Sequence, residues 1–231
     1  MRYIEKRPEP VSFQHWKAQA NTNWQPSYDD LRGPEKNDLH LSLMEEQGFL
    51  CCYCECRINE TCSDIEHLKP RRRFPLNELD YNNLLASCLG GGGLGLPAGH
   101  CNGKKGNWYD AAMVSPLQGD CGEYFMFTRD GQILPTQDPD QRDSAEETIN
   151  RLNLNSERLI ARREEALDGT FVRLAQNRGD LVDGSEDEDF TAEQLEARAS
   201  ACMQFDLGGR LEPFCSAIHS VIRQKMAMIR E

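Results

Sequence analysis

The stretch Cys51-Cys52-Tyr53-Cys54 constrains this chain more than any other. A Cys-x2-Cys turn aims two thiolates at one point, the geometry of a zinc knuckle. Two ligands do not close a tetrahedral site, so a second pair must return to the first from elsewhere. Cys88 and Cys101 are the best candidates, because they flank a glycine-rich stretch and Cys101 opens a helical segment. Their separation is longer than the usual x2. His100 is an alternative to Cys101 as the fourth ligand, and Cys52 with Cys56 is a weaker alternative pair. The chain has 231 residues and ten cysteines. Its start, Met1-Arg2-Tyr3-Ile4-Glu5-Lys6, carries no apolar run of signal-peptide length, which predicts a cytoplasmic location. In a reducing compartment, closely paired thiols read as metal ligands and not as a disulfide framework. The competing reading makes them small buried hydrophobes. A closed four-ligand zinc site would hold the fold and leave no open position for catalysis.

Between the cysteines lies Ile65-Glu66-His67-Leu68-Lys69-Pro70, then Arg71-Arg72-Arg73 and Asn82-Asn83-Leu84; His100-Cys101-Asn102-Gly103-Lys104-Lys105 follows. Residues 63–69 read as a strand stopped by Pro70. Residues 51–58 read as a tight knuckle, 78–88 as a loop-to-helix stretch, and 101–112 as the start of a helix. An acid beside a histidine is weak evidence alone, since most histidines are simply satisfied hydrogen-bonding groups. Glycines 90–93, 95 and 99 form a loop that lacks the Gly-Lys-Ser/Thr ending of a phosphate loop. The net charge is -12, against simple electrostatic capture of nucleic acid. Residues 51–110 hold as many basic as acidic side chains, so the excess lies in the flanks. An acidic exterior around a neutral centre suggests a partner that supplies positive surface. No run of 18 apolar residues occurs, which argues against a membrane span.

In the flanks, Trp16 and Trp24 read as packing anchors, with a partner surface as the alternative. Leu39, Leu41, Leu43 and Met44 predict a helix over 35–47 that Gly48 ends. Asp130-Gly131 predicts a hairpin over 122–135. A polar linker follows over 136–143. Ser144 with Glu147 reads as the capping box of a helix, and 156–177 as further helix interrupted by Gly169. Glu186-Asp187-Glu188-Asp189 reads as an acidic surface loop. Thr191 with Gln194 makes a second capping box, and Pro213 is placed to start a last helix.

On Cys51-x2-Cys54, Ile65-Glu66-His67-Leu68-Lys69-Pro70, Asn83-Leu84, Cys88 and Cys101-Asn102-Gly103-Lys104-Lys105, the chain resembles an HNH endonuclease domain of the zinc-bracketed ββα-metal type. The resemblance implies an α+β, mostly helical fold. Its segments would be an N-terminal docking segment (1–50), the nuclease core (51–112), a hairpin and linker (113–143) and a helical region (144–231). It implies His67 as general base and Glu66 as acidic metal ligand. Asn83 would brace the loop over the hairpin, and Asn102 would complete the metal site on the helix. A catalytic Mg²⁺ or Mn²⁺ would sit with Glu66 and Asn102, and a structural Zn²⁺ with Cys51, Cys54, Cys88 and Cys101. The chemistry is coherent: a histidine generates a nucleophile at neutral pH, and a hard cation on oxygen ligands offsets phosphate charge. Lys69, Arg71, Arg72, Arg73, Lys104 and Lys105 would contact phosphates of a DNA or RNA substrate.

Met1-Arg2-Tyr3-Ile4-Glu5-Lys6, Glu46-Gln47-Gly48 before Cys-Cys-Tyr-Cys-Glu, and Ile149-Asn150-Arg151-Leu152-Asn153-Leu154-Asn155 are similar to the PtuB family of HNH subunits from Septu antiphage systems. Related proteins accompany retrons. This implies a PtuA-like ATPase of the ABC/SMC type as partner, a defence role, and in a retron setting a reverse transcriptase with its msDNA. Two other readings stand beside it: a non-catalytic zinc-ribbon binding module, and a stand-alone McrA-like restriction enzyme.

Overall fold

Strand β1 (Ser63–His67) and strand β2 (Leu84–Cys88) form an antiparallel ribbon, with Ile65 opposite Ala86 and His67 opposite Leu84. The computed structural model describes residues 1–90, 99–176 and 190–229. All of β2 is buried, so its backbone groups need protein partners on both edges. One edge is β1. On the other, the buried Gln47 side chain acts as a piece of strand. Its Oε1 accepts from Ala86 N at 2.7 Å, and its Nε2 donates to the carbonyls of Ala86 at 2.8 Å and Leu50 at 2.7 Å. Glu46 beside it is equally buried, accepting from Lys6, from the Arg7 amide and from the Tyr81 hydroxyl. The loop-to-helix expectation for 78–88 is corrected: a 3-10 turn at Tyr81–Asn83 leads directly into a strand. A short, continuous apolar run fits a buried strand and a helix start equally, and pairing with β1 decides.

Around the ribbon, α1 (Val11–Lys17) stacks Phe13 on Trp16, and Trp16 meets Trp24 edge-on. Helix α2 (Gly33–Glu46) ends where Gly48 and Phe49 take positive φ. Helix α3 spans only Cys101–Lys105. Gly90 brings its start to the end of β2: φ is +62°, and a Cβ there would lie 2.2 Å from the His100 carbonyl oxygen. No other residue fits that approach.

Strands β3 (Phe125–Phe127) and β4 (Ile133–Pro135) form the hairpin about Asp130-Gly131. Helix α4 (Pro139–Leu152) begins earlier than Ser144; Asp138 caps it, so the 136–143 linker is partly helix. Helix α5 (Glu157–Gln176) passes Gly169 without a break. Helix α6 (Ala192–Cys202) has the Thr191–Gln194 capping box. Helix α7 (Cys215–Ile229) starts two residues beyond Pro213, because its first amides look to the cysteine knuckle. There Glu55, at φ +61°, accepts from Ser216 N at 2.9 Å through its carboxylate and from Phe214 N at 3.0 Å through its carbonyl. An acid at a helix N-terminus also meets the positive end of the helix dipole. The acidic run Glu186–Asp189 lies outside the described residues. The buried side chains form one cluster running from Met1 to Met226, so all four segments share a core. Among the described residues, no helix is long and apolar enough to cross a membrane.

Replacing Gln47 by Ala removes the side-chain partners of the Ala86 amide and the Leu50 carbonyl, while the Ala86 carbonyl keeps the Cys52 amide at 3.1 Å. Unpaired buried groups cost about 1–3 kcal/mol each, so the variant should lose about 2–4 kcal/mol in urea unfolding. Glu45→Ala, one turn face away and exposed, should change stability by about 0.5 kcal/mol or less.

Candidate active site

Four thiols meet at the end of the ribbon. Cys51 and Cys54 come from the knuckle, Cys88 from the last position of β2, and Cys101 from the first turn of α3. All are buried, and their sulfurs lie within 4.8 Å of one another. A tetrahedral ion with bonds of about 2.3 Å needs sulfurs about 3.8 Å apart. Cys54 and Cys88 are 3.8 Å apart. Cys54 and Cys56 are 3.3 Å apart, too close to be two corners of that tetrahedron. The donor set therefore fits a metal ion such as zinc. His100 lies beside the set, with Nδ1 3.2 Å from Cys101 Sγ and 3.8 Å from Cys88 Sγ. It is placed to brace a thiolate, as outer-shell groups do at metal centres. The Cys88 amide and the Ser87 hydroxyl lie 3.3 and 3.5 Å from Cys51 Sγ. The buried Arg163 guanidinium lies in the field of Cys54, Glu55 and Cys101. Burial nonetheless pushes its pKa down to about 10.

His67 ends β1. Its Nε2 is 3.1 Å from the Glu78 carbonyl oxygen, which can only accept. Nε2 therefore carries the proton, and Nδ1 holds the free lone pair. Burial pushes the imidazole down to about 4, with Arg71 and Lys105 adding to the effect and the Glu78 bond opposing it. The ring is neutral at pH 7. Tyr28 covers it edge-on at 4.4 Å between centroids. Asn83 holds the loop that supplies Glu78. Its Oδ1 accepts from Lys69 N at 2.7 Å, and its Nδ2 donates to the Lys69 and Asn77 carbonyls at 3.1 and 2.9 Å.

Glu66 points the other way, as alternation along a strand requires. It is 3% exposed. Its Oε1 accepts from Tyr53 Oη and from Lys105 Nζ, both at 2.8 Å. Burial pushes the carboxyl up from the ordinary carboxylate range, and Lys105 and Tyr53 pull against that. Asn102 is half-buried on α3, and its side chain makes no hydrogen bond to Glu66 or to any other described residue. In this arrangement Glu66 and Asn102 do not fit a divalent ion, because an ammonium already occupies the carboxylate.

The basic residues divide into three groups. Arg71 pairs with Asp29 at 2.5 Å and lies over the Tyr28 ring. Arg73 donates to the Tyr109 carbonyl at 2.9 Å. Lys69, Arg72 and Lys104 have side chains without an ion pair among the described residues, and Arg72 and Lys104 are exposed. Lys105 is a correction: expected at a phosphate, it is 3% exposed and points inward. Helical spacing contained the signal, since Lys105 follows the inward-facing Cys101 by four residues. Nothing in the sequence pointed to Tyr28, Tyr53 or the Glu78 carbonyl.

No family model matches the chain. It is 31% identical over 208 residues to an Escherichia coli protein with the name "Retron Ec83 putative HNH endonuclease", covering 72% of this chain and 79% of that one. It is 28% identical over 157 residues to "Retron Vc95 putative HNH endonuclease" of Vibrio cholerae serotype O1 biovar El Tor, covering 66% and 74%. Septu protein PtuB of Bacillus thuringiensis is 36% identical over 70 residues, covering 29% and 23%.

Two outcomes follow from this geometry. Cys88→Ser should lower bound zinc, measured by a colorimetric chelator, and Gly90→Ala should do the same by forcing the Cys101 backbone away. The second concerns pH. An unfolded chain protonates His67 below about pH 6.5, and the folded chain only near 4. Between those values the unfolded state binds more protons, so stability rises with pH. From pH 7 to 5 the wild type should lose on the order of 1 kcal/mol more than His67→Gln in urea unfolding.

Proposed function

This chain belongs to the family of HNH endonucleases found with retrons and Septu systems, and from that premise we propose that it hydrolyses phosphodiester bonds as the effector of an antiphage defence complex. The observation that carries the reading is the His67 arrangement. A neutral imidazole has its Nε2–H fixed on the Glu78 carbonyl and its Nδ1 lone pair left for a proton. Nδ1 takes the proton of a water as the water oxygen bonds to phosphorus; the leaving P–O bond breaks with its electron pair on the leaving oxygen, which takes a proton from solvent. General base catalysis of this kind contributes typically about 10²–10⁴-fold. Asn83 keeps the Glu78 carbonyl, and so the ring, in that orientation. Arg72, Lys69 and Lys104 are free to hold phosphates and set the strand's position without reading its sequence.

The cysteine site takes structural Zn²⁺ on Cys51, Cys54, Cys88 and Cys101 and ties the knuckle to both arms of the site. The Mg²⁺ or Mn²⁺ that the family implies would offset the charge of the scissile phosphate, but Glu66, held by Lys105, does not offer it a place in this arrangement. The acidic flanks are the docking surface for a PtuA-like ATPase, which recruits or gates the DNA or RNA substrate. In a retron setting the reverse transcriptase and its msDNA join that complex.

The test uses the full chain co-expressed with its neighbouring genes. Wild-type complex with Mg²⁺ or Mn²⁺ should cleave plasmid DNA or single-stranded RNA, while His67→Ala should cut at least about 10²-fold more slowly. Zinc content and co-migration of the ATPase should not change. Undiminished cleavage by His67→Ala overturns the mechanism; nucleic-acid retention with no cleavage by either protein favours a binding module.

A further inference from the structure

The loop that joins β1 to β2 holds a leucine out into solvent beside the proposed base. Leu76 is 97% exposed and stands two residues before Glu78. An exposed leucine is ordinary on its own. This one has a rigid mount. Pro75 opens the 3-10 turn Pro75–Asn77 with its φ fixed by the ring. The Asn77 and Glu78 amides donate to the carbonyls of Phe74 and Pro75 at 3.0 and 3.3 Å. Asn83 Nδ2 ties down the Asn77 carbonyl at 2.9 Å. On the other side the Phe74 ring meets Tyr109 edge-on, with centroids 5.4 Å apart, and Arg73 donates to the Tyr109 carbonyl at 2.9 Å. The tip is therefore anchored by the same side chain, Asn83, that holds the loop supplying the Glu78 carbonyl to His67.

The charge around the tip selects its occupant. Residues 69–76 carry Lys69, Arg71, Arg72 and Arg73 and no acidic side chain, in a chain of net charge -12. Arg72 and Arg73 are exposed. A leucine between exposed guanidiniums suits a polyanion with apolar faces, and nucleic acid is one: phosphates outside, base faces between. Leucine is among the side chains that enter base steps as wedges. Two residues span at most about 7 Å, so a base that meets Leu76 lies within a few nucleotides of a phosphate at His67.

We propose that Leu76 is a wedge that enters a base step near the scissile phosphate, so that the protein selects nucleic acid whose bases are unpaired or easily unstacked. The position of the cut rests on the nuclease reading above; the wedge itself is tested without cleavage. Burying one leucine gains about as much as unstacking one well-paired step costs. The wedge therefore gains most where stacking is already weak, at a bulge or a mismatch. The arginines hold phosphates and add nothing to that choice.

The test uses the full chain co-expressed with its neighbouring genes, without added divalent ions so that no strand is cut. The probes are a DNA hairpin and its RNA counterpart, each with one 2-aminopurine either bulged or paired, whose fluorescence follows unstacking. Wild type should bind the bulged form of at least one of them about tenfold or more tighter than the paired form. Leu76→Ala should bring the two forms within about twofold, and Leu76→Met, apolar and of similar size, should keep the preference. Leu207→Ala, at an equally exposed leucine between α6 and α7, should keep it too. Zinc content and circular dichroism check folding, which a side chain so exposed should not affect. A wild type that binds both forms alike in DNA and in RNA, or binds neither, overturns the proposal. So does a preference that survives Leu76→Ala or is lost equally with Leu207→Ala. If His67→Ala stops cleavage while Leu76→Ala keeps the preference, the wedge falls and the nuclease reading stands. If Leu76→Ala removes the preference while His67→Ala leaves cleavage intact, the wedge stands and the nuclease mechanism falls.

Discussion

The convergence of four buried thiols is the constraint on which the rest of the structure depends. It joins three pieces that have little else in common: a turn, the end of a strand and the start of a helix. The ribbon alone has two short strands and is too small to be stable in water by itself. The helix after it has five residues, well below the length at which an isolated helix persists. Each carries at its end one of the four cysteines that converge. The positions of His67, Asn83 and Lys105 follow, since they hang on the same strands and the same helix.

A second layer fits the thiol centre into a larger body. Gln47 closes the outer edge of β2, and Glu46 gathers Lys6, Arg7 and Tyr81. Glu55 turns from the knuckle to the first amides of α7. Arg163 reaches from α5 to the carbonyls of Gly131 and Leu154. These are buried polar groups, each expensive if left alone and each paired. They connect the flanking segments to the centre by specific bonds as well as by apolar packing. That explains why segments resembling separate modules along the sequence share one core.

Much of the site was legible beforehand, for physical reasons that differ by residue. The thiols were legible because a Cys-x2-Cys turn has a local geometry that survives any tertiary context. The remaining choice among Cys52, Cys56, Cys101 and His100 was not, because it depends on a few tenths of an ångström between sulfurs from distant segments. Strand β1 was readable from Ile65 and the stop at Pro70. Strand β2 was not, because an all-buried run carries no alternation. Helix α4 began before the expected box because Asp138 competes as a cap, and two plausible caps cannot be ranked without knowing what packs below them.

The sequence by itself determined the inventory and the order: which thiols, which acid beside which histidine, which amides, and their spacing along the chain. Those fix local geometry, because backbone periodicity acts over a few residues. Only the tertiary structure decided the partners. It turned Lys105 inward to Glu66, set Tyr28 from the N-terminal segment over His67, and aimed the Glu78 carbonyl at Nε2. Such pairings join groups far apart in the chain. What selects them is the requirement that every charge or polar group taken out of water find a partner within hydrogen-bond reach.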